Sequence, residues 1–170
     1  DSQAALLTVK QLIAHWPFDG DPNDATGNGY NGTASGDPGY TDGLIGEAID
    51  LDGSDDKIVH ALSVEVAIPA FTLSLWAWTD NTAQANNSSL MNNNASTSDF
   101  QIGITSGNYA YQGSQTVVFA PIPETPQWVH LAATCDGTAT RIFYNGEYAG
   151  DADVADNVFG QFAIGVNRGD

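Results

Sequence analysis

The residues best equipped for chemistry are carboxylates and amides crowded among glycines. Asp19 and Asp24 are followed by Asn28 and Asn31, with Gly20, Gly27, Gly29 and Gly32 between them to let the chain fold back on itself. Calcium takes about six to eight oxygen ligands, and carboxylates, side-chain amides and backbone carbonyls supply them. The group therefore reads as a calcium site, with Asp19, Asp24 and Asn28 as ligands and Asn31 and nearby carbonyls in reserve. The competing reading is an Asx-turn loop in which Asp24 and Asn28 bond their own backbone. A second acidic cluster holds Asp50, Asp52, Asp55 and Asp56. Asp50 and Asp52 stand two apart on a strand and share a face. The remainder reads as a solvated turn with at most a weak metal role.

Nucleophilic and acid–base chemistry find little support. His15, His60 and His130 each lie in or beside a strand, where a lone histidine is usually a hydrogen-bonded structural residue. No Glu-x-x-His or His-x-His pattern marks a catalytic zinc. Cys135 has no neighbouring cation to favour a thiolate and reads as a small buried hydrophobe. No catalytic residue is assigned, and the chain is expected not to be an enzyme. The 170 residues include 21 acidic and only 4 basic side chains, for a formal charge of −17. Lys10, Lys57, Arg141 and Arg168 are too few to neutralise phosphates, so nucleic acid is excluded as a partner, and an anionic membrane surface with it. There is no apolar run long enough for a membrane helix, so no membrane insertion is expected.

The elements that must position these residues are strands. Short β-branched and aromatic runs alternate with Gly, Asn, Asp and Pro, the pattern of an all-β sandwich. Strands are predicted at 5–10, 12–17, 48–51, 57–61, 71–79, 100–105, 109–111, 116–119, 128–135, 140–144, 147–151 and 162–166. In the 71–79 run Phe71, Leu73, Leu75 and Ala77 point one way, and Thr72, Ser74, Trp76 and Trp78 the other. With apolar bulk on both faces, this strand is expected to be central, or to face a concave binding surface. Tyr144-Asn145-Gly146-Glu147 signals a two-residue hairpin and Asp136-Gly137 a second break, giving a meander from Trp128 to about Asp151. Residues 80–99 are Asn- and Ser-rich and read as a long loop, with a short strand at 89–92. Residues 1–12 read either as a first strand or as the remnant of a preceding immunoglobulin-like module or linker. Residues 13–170 form the domain proper.

From His15 onward the order of motifs resembles the laminin-G-like, concanavalin-A-like jelly-roll family. The residues that carry the resemblance are Trp16-Pro17-Phe18-Asp19, the loop from Asp24 to Thr33, and Gly46 to Val59 with its Asp52-Gly53-Ser54-Asp55-Asp56 turn. Phe71 to Trp76, Trp128 to Ala132, Asp136 to Glu147 and Ile164-Gly165-Val166-Asn167 complete it. Seven motifs in this order imply an antiparallel two-sheet jelly-roll sandwich. They also imply a structural calcium joining the Asp19–Asn31 loop to the opening strand. Members usually continue into a last strand, whereas this chain stops at Arg168-Gly169-Asp170. The expectation is thus a sandwich lacking its closing strand, with an unpaired edge beside Trp16. The Glu-x-Asp-x-x-Glu strand of the related glucanases is absent from the sequence.

What the resemblance leaves is binding. Sugars are gripped by aromatic faces together with amide and carboxylate hydrogen bonds. Trp76 and Trp128 match positions of the family's core, so Trp78, Tyr109 and Tyr111 are the aromatic candidates, with amides such as Asn93 from the loop. Each of these also suits a packing role. The expected function is a non-catalytic, calcium-stabilised carbohydrate-binding or adhesive module of a large exported bacterial protein. It would act outside the cell or at its surface, on a glycan or a cell-surface protein, beside neighbouring domains. The alternatives are a spacer that binds no sugar and an accessory domain of a secreted polysaccharide hydrolase.

Overall fold

The computed structural model describes residues 11–80, 88–93, 100–113, 115–153 and 158–165. Thirteen strands follow in order: β1 (Thr33–Ser35), β2 (Gly39–Asp42), β3 (Glu47–Asp50), β4 (Lys57–Ala67), β5 (Phe71–Ala77), β6 (Ser88–Asn92) and β7 (Gln101–Thr105). Then come β8 (Asn108–Gln112), β9 (Thr116–Pro121), β10 (Val129–Cys135), β11 (Thr140–Tyr144), β12 (Glu147–Ala152) and β13 (Val158–Ile164). No helix occurs among the described residues. A seven-stranded sheet runs β1-β4-β13-β6-β7-β8-β9 and a four-stranded sheet β12-β11-β10-β5, while β2 and β3 form a separate hairpin. Every pairing is antiparallel. The architecture is the expected jelly-roll sandwich.

Alternation builds its interior. Leu73 and Ala77 of β5, Val129, Leu131 and Ala133 of β10, and Ile142 of β11 face inward from the smaller sheet. They meet Phe100, Ile102, Ile104, Tyr109, Tyr111, Phe119, Phe159 and Phe162 of the larger one. Phe71, Phe100 and Phe159 pack with ring centroids 5.1–5.4 Å apart. Cys135 is buried and free, as its apolar setting suggested. The meander is present as β10, β11 and β12. Asn145 and Gly146 take the positive φ values, 49° and 83°, that a two-residue hairpin of this hand requires.

Several elements differ from the sequence expectation. Residues 12–17 are not a strand: Phe18 turns the chain at φ 61°, and the backbone N–H of His15 is held by a side chain instead of a neighbouring strand. This segment and the following loop close the sandwich over β4 and β13. Trp16 packs on Phe162 at 5.8 Å and donates its indole N–H to Tyr30 O at 2.7 Å. Tyr30 meets His60 edge-on at 5.1 Å. Gly32 is obligatory beneath them, because a Cβ there would lie 2.3 Å from Ile58 Cγ2. β4 runs six residues past its expected end, β13 starts four residues earlier, and β1 and β2 are additional. The 71–79 strand is not central: among the described residues β5 ends its sheet, and its outer face is open. The expected strand at 5–10 lies outside the described residues.

Candidate functional site

The outer face of the four-stranded sheet carries the most unusual surface. Inward placement of Leu73, Ala77 and Thr79 forces Ser74, Trp76 and Trp78 outward. Trp76 and Trp78 are 50% and 47% exposed, an uncommon placement for the largest apolar side chains. Across the sheet, His130 is the register partner of Trp76 and lies 5.0 Å from it, ring to ring. Trp128 sits beside Trp78 at 5.9 Å, tilted by 59°. Phe143 and the exposed Tyr148 continue the aromatic surface onto β11 and β12.

Polar groups are fixed between these rings. Ser74 Oγ and His130 Nε2 share a hydrogen bond of 2.7 Å. The His130 N–H donates to Asn145 Oδ1 and the Asn145 N–H to His130 O, both at 2.8 Å, so the Asn-Gly turn is locked against β10. Trp78 donates its indole N–H to Asp80 Oδ1 at 2.7 Å. Arg141, on the same face, is paired at 3.2 Å with Asp136. The Asp136 carboxyl is held well below its usual range by the Thr138 hydroxyl and by the N–H groups of Thr138 and Ala139. The arrangement can stack flat, weakly polar rings and offer them donors and acceptors. Ser74 and His130 pair a hydroxyl with an imidazole, but among the described residues no carboxylate bonds that ring to orient it as a base.

The aromatic candidates separate sharply. Trp78 stands on this face, but Tyr109 and Tyr111 are 0% and 1% exposed and belong to the core between the sheets. Burial raises both phenols above their usual range, and the Tyr109 OH is bonded to Thr79 Oγ1 at 2.7 Å. Neither can stack on a ligand. Asn93 is also buried, its Oδ1 accepting the Phe100 N–H at 3.0 Å. Asn92, Gln101 and Gln112 lie buried on the far side of the larger sheet, where the two glutamine amides bond each other. Trp76, assigned to the core on the family pattern, is on the surface instead. The period-2 pattern that put Trp76 on the same side as Trp78 was the signal for it. The amides at 81–87 and 94–99 lie outside the described residues.

Of the two readings of the Asp19–Asn31 loop, the structure carries the Asx-turn. Asp24 is buried, and its carboxylate accepts from the N–H groups of His15, Thr26 and Tyr30 and from the Thr26 hydroxyl, at 2.7–3.2 Å. Burial would raise this carboxyl, but those donors outweigh it and hold it at about 2. Asn31 Oδ1 accepts the Asp24 N–H, and the Asn28 amide donates to Leu12 O and Ile13 O. Asp19 turns away to the Glu47 N–H in the β2–β3 hairpin. Backbone donors thus engage Asp24 and Asn31, as the Asx-turn reading expects of Asp24, and Asp19 is bonded to the neighbouring hairpin. The acidic group whose oxygens do converge, within 4.8 Å of one another, is Asp52, Asp55 and Asp56 in the turn before β4. Within it Asp56 Oδ2 accepts the Asp52 N–H and Asp52 Oδ1 the Ser54 N–H. Asp50 ends β3 and stands apart from this group.

An antiparallel jelly roll with an open aromatic sheet face defines a lectin-like sandwich. Residues 52–170 match the family model of the concanavalin A-like lectin/glucanases superfamily, and the chain belongs to that family. Domain 4 of AbnA, a GH43 extracellular arabinanase from Geobacillus stearothermophilus solved in complex with arabinotriose, superposes with a TM-score of 0.73. It is 26% identical over 94% of this chain and 85% of that one. The binding domain of Paraclostridial Mosquitocidal Protein 1 shares the fold at a TM-score of 0.68 and 16% identity, over 86% of this chain and 42% of that one. The botulinum neurotoxin serotype G binding domain does so at 0.64 and 14%, over 86% and 41%. This chain thus spans about two-fifths of each toxin domain. No curated protein sequence matches it.

Proposed function

We propose that the chain is a non-catalytic glycan-binding module and that the outer face of the β12-β11-β10-β5 sheet is its binding surface. The observation that carries this is the pair of exposed tryptophans, Trp76 and Trp78, presented side by side on a rigid strand and flanked by fixed polar groups. Aromatic faces stack on the C–H faces of sugars, while Ser74, His130 and Asn145 supply hydrogen-bonding groups. The likeness to a domain that carries arabinotriose supports the reading, and favours the accessory-domain version of it over a spacer. An exported bacterial protein with further domains is the setting this implies.

Affinity electrophoresis through gels containing soluble polysaccharides tests the proposal. Retardation by at least one polysaccharide is expected, with Trp76→Ala and Trp78→Ala each weakening it about tenfold, equivalent to roughly 1.4 kcal/mol. Both side chains are half exposed, so the variants should melt close to the parent chain. Retardation that survives the double substitution would move the site elsewhere, and no retardation by any polysaccharide would favour the spacer.

Calcium belongs to the same proposal as a stabiliser. The convergent carboxylates of Asp52, Asp55 and Asp56, next to β4, support it there, whereas the family expectation points to the Asp19–Asn31 loop. A ligand that binds only the folded chain raises its melting temperature. Calcium should therefore raise the Tm of chelator-treated protein, and Asp55→Asn should abolish the rise. A Tm indifferent to calcium would refute the calcium part and leave the glycan surface untouched.

A further inference from the structure

Resting on that glycan-binding reading, we propose that the ligand of the face is an uncharged, linear glycan laid lengthwise along β5, not an anionic glycan and not a single terminal sugar. The first argument is the run of the aromatic surface. Trp76 and Trp78 are two residues apart on one strand, so their attachment points are about 7 Å apart along it. Val129 pairs with Ala77 and His130 with Trp76, which puts Trp128 beside Trp78 at one end and His130 beside Trp76 in the next row. The row beyond holds Ser74 against Ala132, with Phe143 and Tyr148 to the side. The ring-bearing strip thus extends over roughly 14 Å of strand, longer than one sugar ring. Trp76 and Trp78 both stand about half out of the surface, so nothing walls off a single unit. A strip of this kind rewards each added unit until the strip is covered.

The second argument is charge. Arg141 is the only cation on this sheet among the described residues, and its guanidinium is taken by Asp136. Asp80 is bonded at the Trp78 end, and Asp151 stands opposite Arg141 at the other. The molecule as a whole carries −17. A uronate or sulfated sugar laid on Trp76 and Trp78 would meet carboxylates at both ends and no unpaired cation between them. A neutral sugar needs only the stacking faces and the groups at Ser74, His130 and Asn145.

Titration calorimetry with the whole chain separates the possibilities. The probes are neutral oligosaccharides from one to six units, derived from arabinan, xylan and β-glucan, and oligogalacturonides of matched length. Each is measured at about 0.02 M and about 0.5 M salt. A neutral series is expected to gain at least tenfold in affinity between one and three units and then level off. Its affinity should hardly change with salt. Oligogalacturonides should bind at least tenfold more weakly at low salt, with the gap closing at high salt. Trp76→Ala should flatten the length dependence without altering the Tm. A monosaccharide that binds as tightly as its trimer, or an oligogalacturonide that equals the neutral series at low salt, overturns this inference while leaving glycan binding intact. Absence of binding by every sugar overturns the underlying reading as well.

Discussion

Asp24 shows how one side chain can organise a segment through backbone donors. Its carboxylate gathers the N–H groups of His15, Thr26 and Tyr30, drawing residues from three places in the chain onto one acceptor. Asp24→Ala strands those donors and should cost about 2 kcal/mol, a fall in Tm of about 4–8 °C for a domain of this size. Its carboxyl lies at about 2 in the folded chain against 3.8 ordinarily. A folded value below the unfolded one means that the contribution is complete above about pH 4 and is lost as the pH falls through about 2. Melting curves from pH 5 to pH 2 should therefore converge for the parent chain and Asp24→Asn. Parallel curves would show that the carboxylate is not the group at work. The sequence displayed Asp24 as important, yet could not say whether its oxygens meet a cation or N–H donors, because both uses favour Asp and Asn among glycines. Tyr109 and Tyr111 were ambiguous for a similar reason: alternation shows that they share a face, and only the packed second sheet decides that the face is the interior.

Strands were legible where their two faces differ. β10 alternates Val129, Leu131 and Ala133 against His130 and Thr134, and β11 follows through an Asp-Gly turn, so both were readable almost to the residue. β1 is only three residues long and exposed at every position, which left no alternation to find. The 12–17 segment misled because it runs as irregular chain: Trp16 packs on Phe162 without a ladder, while Leu12 and Ile13 are exposed, and alternation in sequence does not reveal this. Close approach between strands was equally invisible. Gly103 of β7 lies against β6, and a Cβ there would sit 2.4 Å from the backbone oxygen of Ser88. Gly103→Ala should destabilise the domain by about 1–3 kcal/mol, because a strand backbone cannot step aside as a flexible side chain can. Chemical denaturation checks this, and an unchanged midpoint would mean that the two strands are not held so tightly.

Over the whole molecule, 21 acidic side chains against 4 basic ones make self-repulsion a standing cost of folding. Salt screens it, with a Debye length near 10 Å at about 0.1 M. The Tm should therefore climb on going from about 0.01 M to about 0.15 M sodium chloride at pH 7, and a flat profile would show that the carboxylates are spaced too widely to interact. The fold was readable at this scale from the order of its motifs, whereas the aromatic face proposed for binding was only half visible, since family likeness placed Trp76 inside. The chain between Leu12 and Trp16 enters the domain through a set of side-chain bonds: Asn28 to the carbonyls of Leu12 and Ile13, Asp24 to His15, and Trp16 to the Tyr30 carbonyl. Tension arriving along the chain ahead of Leu12 would strain this clasp before it reached either sheet. The loop would then yield as a mechanical fuse, paying out slack while β5 kept its tryptophans in place.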